Sequence, residues 1–331
     1  MRFHVAAWCL TAAALLAVLQ LHLLPALLAG LLVFQLTHIL AARLPQKLAG
    51  GRARLVAVSL IAVLVIALVT AATLGTILFF RSDAGSLPML MGKMADILEG
   101  ARDQLPAWLA TQVPEDADGV KHVVSEWLRH HAADLQRIGK EALVGFVHVL
   151  IGMIIGGMLA LQEANTDARA PGPLAQSLAE RARRLADAFR RIVFAQVRIS
   201  LVNTLFTAVY LFIVLPSFGV HLPLGKTLVA VTFIAGLLPV LGNLVSNAVI
   251  VIVSLSHSLD AALSSLVFLI LIHKLEYFLN ARIVGSGIGA KAWELLIAMV
   301  VMEAAFGVPG VVAAPIFYAY LKDELKSRGV V

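Results

Sequence analysis

The chain alternates long apolar runs with shorter polar connections, and these runs are its most regular feature. Each run reaches or approaches the roughly 20 residues with which an α-helix crosses about 30 Å of hydrocarbon. The pattern therefore predicts an all-α, polytopic helical membrane protein with about eight hydrophobic segments. These segments lie at residues 5–22, 25–41, 55–80, 142–162, 199–217, 228–255, 261–279 and 294–320.

Two of these segments, 228–255 and 294–320, are interrupted near the middle by proline and glycine. The interruptions read GLLPVLGN, starting at Gly236, and FGVPG, starting at Phe306. In a bilayer such breaks free backbone N–H and C=O groups, which are tolerated only where protein or a wet cavity satisfies them. Paired interruptions in hydrophobic segments indicate the substrate path of a transporter.

Composition agrees with a membrane protein and excludes several other classes. Of 331 residues, 60% are apolar and 14% are charged, whereas soluble domains are about a quarter charged; the mean hydropathy is +0.91. The single cysteine, Cys9, allows neither an internal disulfide nor a cysteine-based zinc site. The chain has no zinc-protease, hydrolase or Walker motif. We therefore expect no catalytic residues, no cofactor and no metal.

The distribution of basic residues predicts the topology. They concentrate in the connection 43–54, in the stretch 163–198 and in the tail after the last segment. Eight crossings place all three on one side, so both termini are expected in the cytoplasm. Topology accounts for the net charge of +6, and we expect no nucleic-acid partner. Arg282 and Lys291 then lie outside, an exception that a re-entrant interrupted segment would explain.

The chain divides into three predicted regions. Residues 1–80 form N-terminal transmembrane helices, and their first apolar run is a retained hairpin helix rather than a signal peptide, because no cleavage site follows it. Residues 81–140 form an extracytoplasmic insert of amphipathic helices, and residues 141–331 form the transmembrane core.

The stretch 174–191 predicts a basic amphipathic helix on the cytoplasmic side. Its apolar residues share one face and its arginines occupy the rest, as in helices that lie in the headgroup region. We expect these arginines to face anionic lipids, either as a simple anchor or in a regulatory role. They are Arg181, Arg183, Arg184, Arg190 and Arg191.

Polar residues inside apolar segments are candidates for function because a charge in the bilayer is costly. Glu303 precedes the second break, and it is either a proton, cation or substrate site or a glutamate that stabilises helix packing. Asn243 and Asn247 follow the first break at i and i+4 and so share a helix face. They either line a polar path or satisfy the backbone groups that Pro239 frees.

The predicted substrate path combines these polar residues with the residues of the two breaks. A secondary polar cluster lies at the end of the seventh segment, where headgroup contact is the expected role of the neighbouring Lys274. The path residues are Pro239, Gly242, Asn243, Asn247, Glu303, Gly307, Pro309 and Gly310, and the secondary cluster is His273, Glu276 and Arg282.

Three stretches carry a family resemblance. They are Phe233–Asn243 (FIAGLLPVLGN), Leu275–Gly285 (LEYFLNARIVG) and Phe306–Pro315 (FGVPGVVAAP). In this order they resemble the signature motifs of the autoinducer-2 exporter (AI-2E) family. The resemblance is specific over roughly 200–322 and rests upstream on the arrangement of segments.

The resemblance implies a bacterial inner-membrane protein with about eight hydrophobic segments, often assembled as a homo-oligomer. It implies export of autoinducer-2 or, for some members, sodium–proton antiport. The sequence departs from the family pattern at three places: Ala281 replaces a proline, Ala290–Ala292 replaces a Leu-His-Pro-like element, and Met302-Glu303 replaces a small-residue pair.

These observations predict a transporter that exports a small polar solute, an autoinducer-2-like signal or a related metabolite, by alternating access. The alternatives are a cation–proton antiporter, which would use Glu303 and a coupling ion, and a membrane scaffold or regulatory partner. The sequence contains no ATP site, so active transport would use an ion gradient or a separate subunit.

Overall fold

The computed structural model describes residues 2–44, 51–81, 117–163, 172–222, 224–237, 241–255, 257–288 and 290–329. These residues form helices and no strands, so the predicted all-α class is confirmed for this part of the chain. The first helices are α1 (Arg2–Gln20), α2 (Leu24–Arg43), α3 (Gly51–Arg81), α4 (Ala117–His130), α5 (Ala132–Gln162) and α6 (Pro173–Val209). A π-helical turn (Tyr210–Val214) and α7 (Leu215–Ser217) follow, then α8 (Gly225–Gly236), α9 (Leu241–Leu255), α10 (Leu259–Ile288), α11 (Ala292–Phe306) and α12 (Val308–Lys326).

Five of the described helical stretches are long and apolar enough to cross a membrane, so the expected count of about eight is not confirmed. These candidates are Phe3–Gln20, Leu24–Arg43, Arg52–Ala71, Ala132–Gln162 and Pro173–Ser217. The last shows that the predicted cytoplasmic helix 174–191 and the segment 199–217 belong to one continuous helical stretch.

The chain forms two compact units whose segments alternate along the sequence. Unit 1 comprises Met1–Thr70, Arg137–Phe194 and Val284–Val331, and unit 2 comprises Ala71–Gln136 and Ala195–Ile283. The predicted extracytoplasmic insert falls partly on α4, which begins at Ala117, while residues 82–116 lie outside the described residues.

The core of unit 1 brings α6 and α12 together. Leu185, Phe189 and Ile192 of α6 pack with Ile316 and Tyr320 of α12 in one buried cluster. The second half of the apolar face predicted for the stretch 174–191 is therefore protein-facing, because Leu185 and Phe189 pack against α12.

In unit 1, α2 and α5 cross with almost no side chain between them. A Cβ atom at Gly152 would lie 2.0 Å from the carbonyl oxygen of Ala26, and one at Gly156 would lie 2.1 Å from that of Gly30. Both helices thus present small residues four apart, the arrangement with which membrane helices approach closely and gain van der Waals contact. The segment Gly152–Gly156 reads GMIIG, so the contact is encoded locally on α5.

In unit 2 the core surrounds Tyr210, where the α-helical pattern changes to the π-helical turn. The ring of Tyr210 stacks on Phe268 with centroids 3.9 Å apart. Leu228 of α8 and Ile250 of α9 belong to the same buried cluster. The core therefore holds α8 and α9 against the π-helical turn and α10.

The α2–α5 crossing gives a matched pair of substitutions on one helix. Gly152→Ala should destabilise the protein by about 1–3 kcal/mol, because the added methyl group forces the two helix backbones apart. Gly139→Ala on the same helix adds a methyl group with no atom within 4 Å, so it should be neutral or stabilise by up to about 1 kcal/mol through helix propensity. Unfolding in mixed detergent micelles measures both, and equal effects would show that the close crossing is not formed.

Candidate functional site

The first interrupted segment is a helical hairpin. Its two helices are α8, with 12 residues, and α9, with 15 residues, or roughly 18 Å and 22 Å at 1.5 Å per residue. Thr232 contacts Ser246 while Ala235 contacts Gly242, so residue numbers rise on one helix as they fall on the other, as in antiparallel helices. Each half is shorter than the hydrocarbon thickness, and the segment 228–255 folds back on itself.

Gly242 makes the tight end of this hairpin possible. A Cβ atom at Gly242 would lie 1.6 Å from the carbonyl oxygen of Ala235, so the start of α9 touches the backbone of α8. Asn247 lies half-buried on α9, and the side chain of Asn243 lies outside the described residues, as does Pro239.

Two side chains of α6 satisfy carbonyl groups at the end of α8. Gln196 Nε2 donates to the carbonyl oxygen of Gly236 at 2.7 Å, and Ser200 Oγ donates to that of Phe233 at 2.7 Å. The last carbonyls of a helix have no amide partner further along that helix. These two carbonyls at the end of α8 are therefore satisfied from α6. The role that the sequence suggested for Asn243 and Asn247, toward the groups freed by Pro239, stays a prediction.

A row of hydroxyl groups, buried except for that of Ser264, continues from the hairpin through unit 2. Ser254 of α9 contacts Ser265 of α10 at 2.7 Å, and Tyr210 Oη contacts Ser265 at 3.0 Å and Ser264 at 3.1 Å. Ser254 Oγ also donates to the carbonyl oxygen of Ile250. The hydroxyls thus form one donor-to-acceptor chain, and it passes through a π-helical turn, a feature frequent at functional sites.

Sequence reasoning missed this row. A serine or threonine in an apolar helix commonly bonds the carbonyl four residues back, so single hydroxyls in these runs gave no indication of interhelical contact. The available signal was spacing, since Ser246 and Ser254 lie eight residues apart on a helix that begins at a break.

The second interrupted segment is also a hairpin. Gly310 of α12 lies against Met302 of α11, where a Cβ atom would be 1.9 Å from the carbonyl oxygen, and Glu294 pairs with Lys322. Gly307 makes the turn with φ +63°, a conformation that favours glycine, and its N–H donates to the carbonyl of Glu303 at 2.7 Å. Pro309 lies in the first turn of α12, where a missing N–H costs nothing.

The open end of this hairpin is fixed by an ionic contact. The Glu294 carboxylate accepts hydrogen bonds from the Lys322 ammonium group, from Tyr318 Oη at 2.7 Å and from the backbone N–H of Lys291 at 3.1 Å. The bond from Lys322, followed by that from Tyr318, lowers the pKa of Glu294 to about 2. Glu294 therefore stays ionised at physiological pH and keeps the two helices paired.

The structure divides the predicted path residues between the units. Glu303, Gly307, Pro309 and Gly310 come together at the turn of the α11–α12 hairpin in unit 1, whereas Gly242 and Asn247 belong to unit 2. Glu303 lies on the exposed side of its hairpin.

The predicted secondary cluster is described only in part. His273 is exposed on α10, and the side chains of Glu276 and Arg282 lie outside the described residues.

The basic stretch of α6 is largely protein-facing, so the expectation that its arginines face lipid is wrong for Arg181. This side chain is fully buried, and its guanidinium lies 3.3 Å from the carboxylate of Glu324. Arg184 and Arg191 pair with Glu324 and Asp323 respectively. A buried charge is tolerated only when paired, and these two acids on α12 supply the partners. Arg183 and Arg190 are exposed and lie near Glu163 and Asp187 respectively, and their contact with lipid stays a prediction.

These pairs, together with Trp8, form what we call the terminal clasp: Trp8, Arg181, Arg184, Arg191, Asp323 and Glu324. Trp8 Nε1 of α1 donates to Glu324 Oε1 at 2.5 Å, so the clasp joins the first helix, the basic stretch of α6 and the last helix. The ends of the chain lie together there, since Arg328 contacts His4 at 3.1 Å.

A protein-family model described as AI-2E family transporter matches residues 3–327, nearly the whole chain. No curated protein and no solved structure matches the chain. The family match confirms the resemblance drawn from the three motifs.

The contact between Gln196 and the first hairpin can be tested by substitution. Gln196→Met should destabilise the protein by about 1–3 kcal/mol, because it keeps the side-chain length but leaves the Gly236 carbonyl unsatisfied. Arg198→Met introduces the same residue at an exposed position of the same helix and should change little. Unfolding in mixed micelles compares the two, and a Gln196→Met variant as stable as the control would contradict the assigned role.

Proposed function

The chain belongs to the AI-2E transporter family, and from this premise we propose that it exports a small polar solute by alternating access. The solute would be an autoinducer-2-like signal or a related metabolite. Membership of the family makes the protein a membrane transporter or permease, and the proposal adds the class of solute, the direction and the mechanism.

The observation that carries this proposal is the pair of hairpins at the two breaks. Each unit contains one hairpin of helices whose backbones touch at glycine, at Gly242 and at Gly310. Transporters use such discontinuous helices near the membrane midplane, where freed backbone groups can meet a solute or an ion. We assign the path to both hairpins, with Pro239, Asn243 and Asn247 at the first and Glu303, Gly307 and Pro309 at the second.

The surroundings of the first hairpin support an uncharged polar solute. Its described polar contacts come from hydroxyl and amide groups, among them Gln196, Ser200, Thr232 and Ser246. Such groups can exchange hydrogen bonds with the hydroxyl or carbonyl groups of a solute without imposing a charge. His273, Glu276 and Arg282 remain a proposed secondary polar cluster on α10.

We place the protein in the bacterial inner membrane, as the family resemblance implies. The hairpins support a topology in which both termini lie in the cytoplasm. If each hairpin returns to the side of the membrane from which it entered, six helices cross the membrane. They are the five candidates and α10. Arg282 and Lys291 then lie on the cytoplasmic side and no longer violate the positive-inside rule. The terminal clasp supports this arrangement, since it holds α1, α12 and the basic stretch of α6 at one end of unit 1.

A cation–proton antiporter is the second candidate, and Glu303 is the observation that favours it. Glu303 lies about one helical turn before the break at Gly307. A carboxylate at this position could bind a proton and a cation alternately. Assembly as a homo-oligomer, which the resemblance implies, is compatible with either candidate.

Comparing metabolites inside and outside cells with and without the protein tests the export proposal. We expect at least one small polar metabolite to accumulate inside cells that lack the protein, and expression of the intact chain to restore its export. If no metabolite shifts in any condition, solute export is wrong and the scaffold alternative gains support.

Glu303→Gln separates the two candidates, with Glu126→Gln on exposed α4 as the matched control. In proteoliposomes an antiporter should lose pH-linked ion flux in the Glu303 variant alone. A solute exporter should instead show no pH-linked ion flux in any variant, and Glu303→Gln should weaken its metabolite export while Glu126→Gln retains it, because Glu303 is assigned to the path.

A further inference from the structure

Unit 1 contains a cavity at the turn of the second hairpin. Its volume is about 750 Å³, and it is lined by residues of the α1–α2 turn, the first half of α5 and the start of α12. The lining includes His22 from the turn, Pro309 from α12, and Arg137 and Lys140 from α5. It lies far from the terminal clasp, which involves the opposite ends of α1 and α12.

The charged lining of the cavity is basic. Arg137 and Lys140 bring two cations, and the one acidic residue of the lining, Glu141, lies 3.8 Å from Arg137. His22 and His148 add two imidazole side chains that can donate hydrogen bonds to a ligand. The charged end of the cavity therefore suits an anion.

The rest of the lining is apolar, with Leu24, Leu28, Val144 and Val312 among its members. A free inorganic anion would gain nothing from this surface. A ligand with an acidic head and an apolar body would bury its body there at about 25 cal/mol per Å² of apolar surface.

The face of α5 that lines the cavity continues as an exposed apolar stripe. From Val144 it runs through Val147, Ile151, Ile154 and Met158, whose exposed fractions are 44–64%. These residues follow one another at three- or four-residue spacing, so they lie on the same side of the helix as Arg137 and Lys140. Lysine and arginine near the end of a transmembrane helix extend their charged groups to the lipid headgroups. Arg137 and Lys140 lie at the corresponding end of the stripe.

We propose that this cavity binds one anionic phospholipid, with its phosphate at Arg137 and Lys140 and an acyl chain along the apolar stripe of α5. The continuity between the basic lining and the exposed stripe selects a lipid over a free organic anion, because a soluble anion would not need a hydrophobic surface several turns long. The bound lipid would contact Pro309, so it would support the turn of the second hairpin.

The proposed lipid site lies on α5, whereas the sequence predicted lipid contact at the basic stretch of α6. The arginines of α6 that were expected to bind anionic lipids include Arg181, which is buried against Glu324. The cationic groups of α5, by contrast, have one carboxylate among the residues lining the cavity and border an exposed apolar surface.

Native mass spectrometry of the full-length protein in neutral detergent tests the proposal. Phosphatidylglycerol, zwitterionic phosphatidylcholine of the same chain length and soluble glycerol 3-phosphate serve as the three probes. The unaltered protein should retain one phosphatidylglycerol that neither other probe replaces. Arg137→Gln with Lys140→Gln should weaken this binding about 25-fold, at roughly fivefold for each cation removed.

Arg129→Gln, at an exposed position of α4 outside the cavity, is the matched control and should leave the retained lipid unchanged. Lys140→Glu alone provides a second variant at an exposed site and should weaken binding more than Lys140→Gln. Equal retention by the double variant and the control would overturn the proposal. Binding of glycerol 3-phosphate as tight as that of phosphatidylglycerol would overturn it in favour of a free-anion site.

Discussion

Satisfaction of backbone hydrogen bonds in an apolar environment is the constraint on which this structure depends. A helix broken by proline and glycine exposes amide and carbonyl groups that lipid cannot satisfy. At both breaks the chain folds back, so that Gly242 and Gly310 lie against carbonyl groups of the preceding helix. At the second break the Gly307 N–H donates to the carbonyl of Glu303. At the first break Gln196 and Ser200 supply donors from another helix. The segments that looked like two interrupted crossings are therefore two packed hairpins.

Charge follows a related rule within unit 1. Charged groups in protein surroundings are paired: Arg181 with Glu324, and Glu294 with Lys322. The first pair joins α6 to the last helix, and the second closes the hairpin that carries Gly307. Glu303, on the exposed side of that hairpin, is the carboxylate on which the choice between solute export and antiport rests.

Much of this arrangement could be predicted from local sequence. The apolar runs indicated helices, and the proline and glycine residues located both breaks to within a few residues. The three motifs identified the family that the match over residues 3–327 confirms. The GMIIG pattern of α5 was equally local and could have indicated a close helix crossing.

The contacts between distant segments could not be predicted in this way. Whether a broken segment crosses or folds back depends on which groups satisfy its carbonyls, and Gln196 is 40 residues from Gly236. The basic pattern of residues 174–191 is the same whether its partners are lipid phosphates or carboxylates, and the buried carboxylate of Glu324 decides this for Arg181.

Labelling of single cysteines from each side of the membrane tests most directly whether both broken segments fold back. In a variant without Cys9, one cysteine would replace Lys226, His257, Lys291 or Lys326, which are exposed and flank the two hairpins. With a membrane-impermeant maleimide, positions 226 and 257 should label from one side, and 291 and 326 together from the other. If the two positions that flank one interrupted segment label from opposite sides, that segment crosses the membrane. This result would contradict the hairpin architecture.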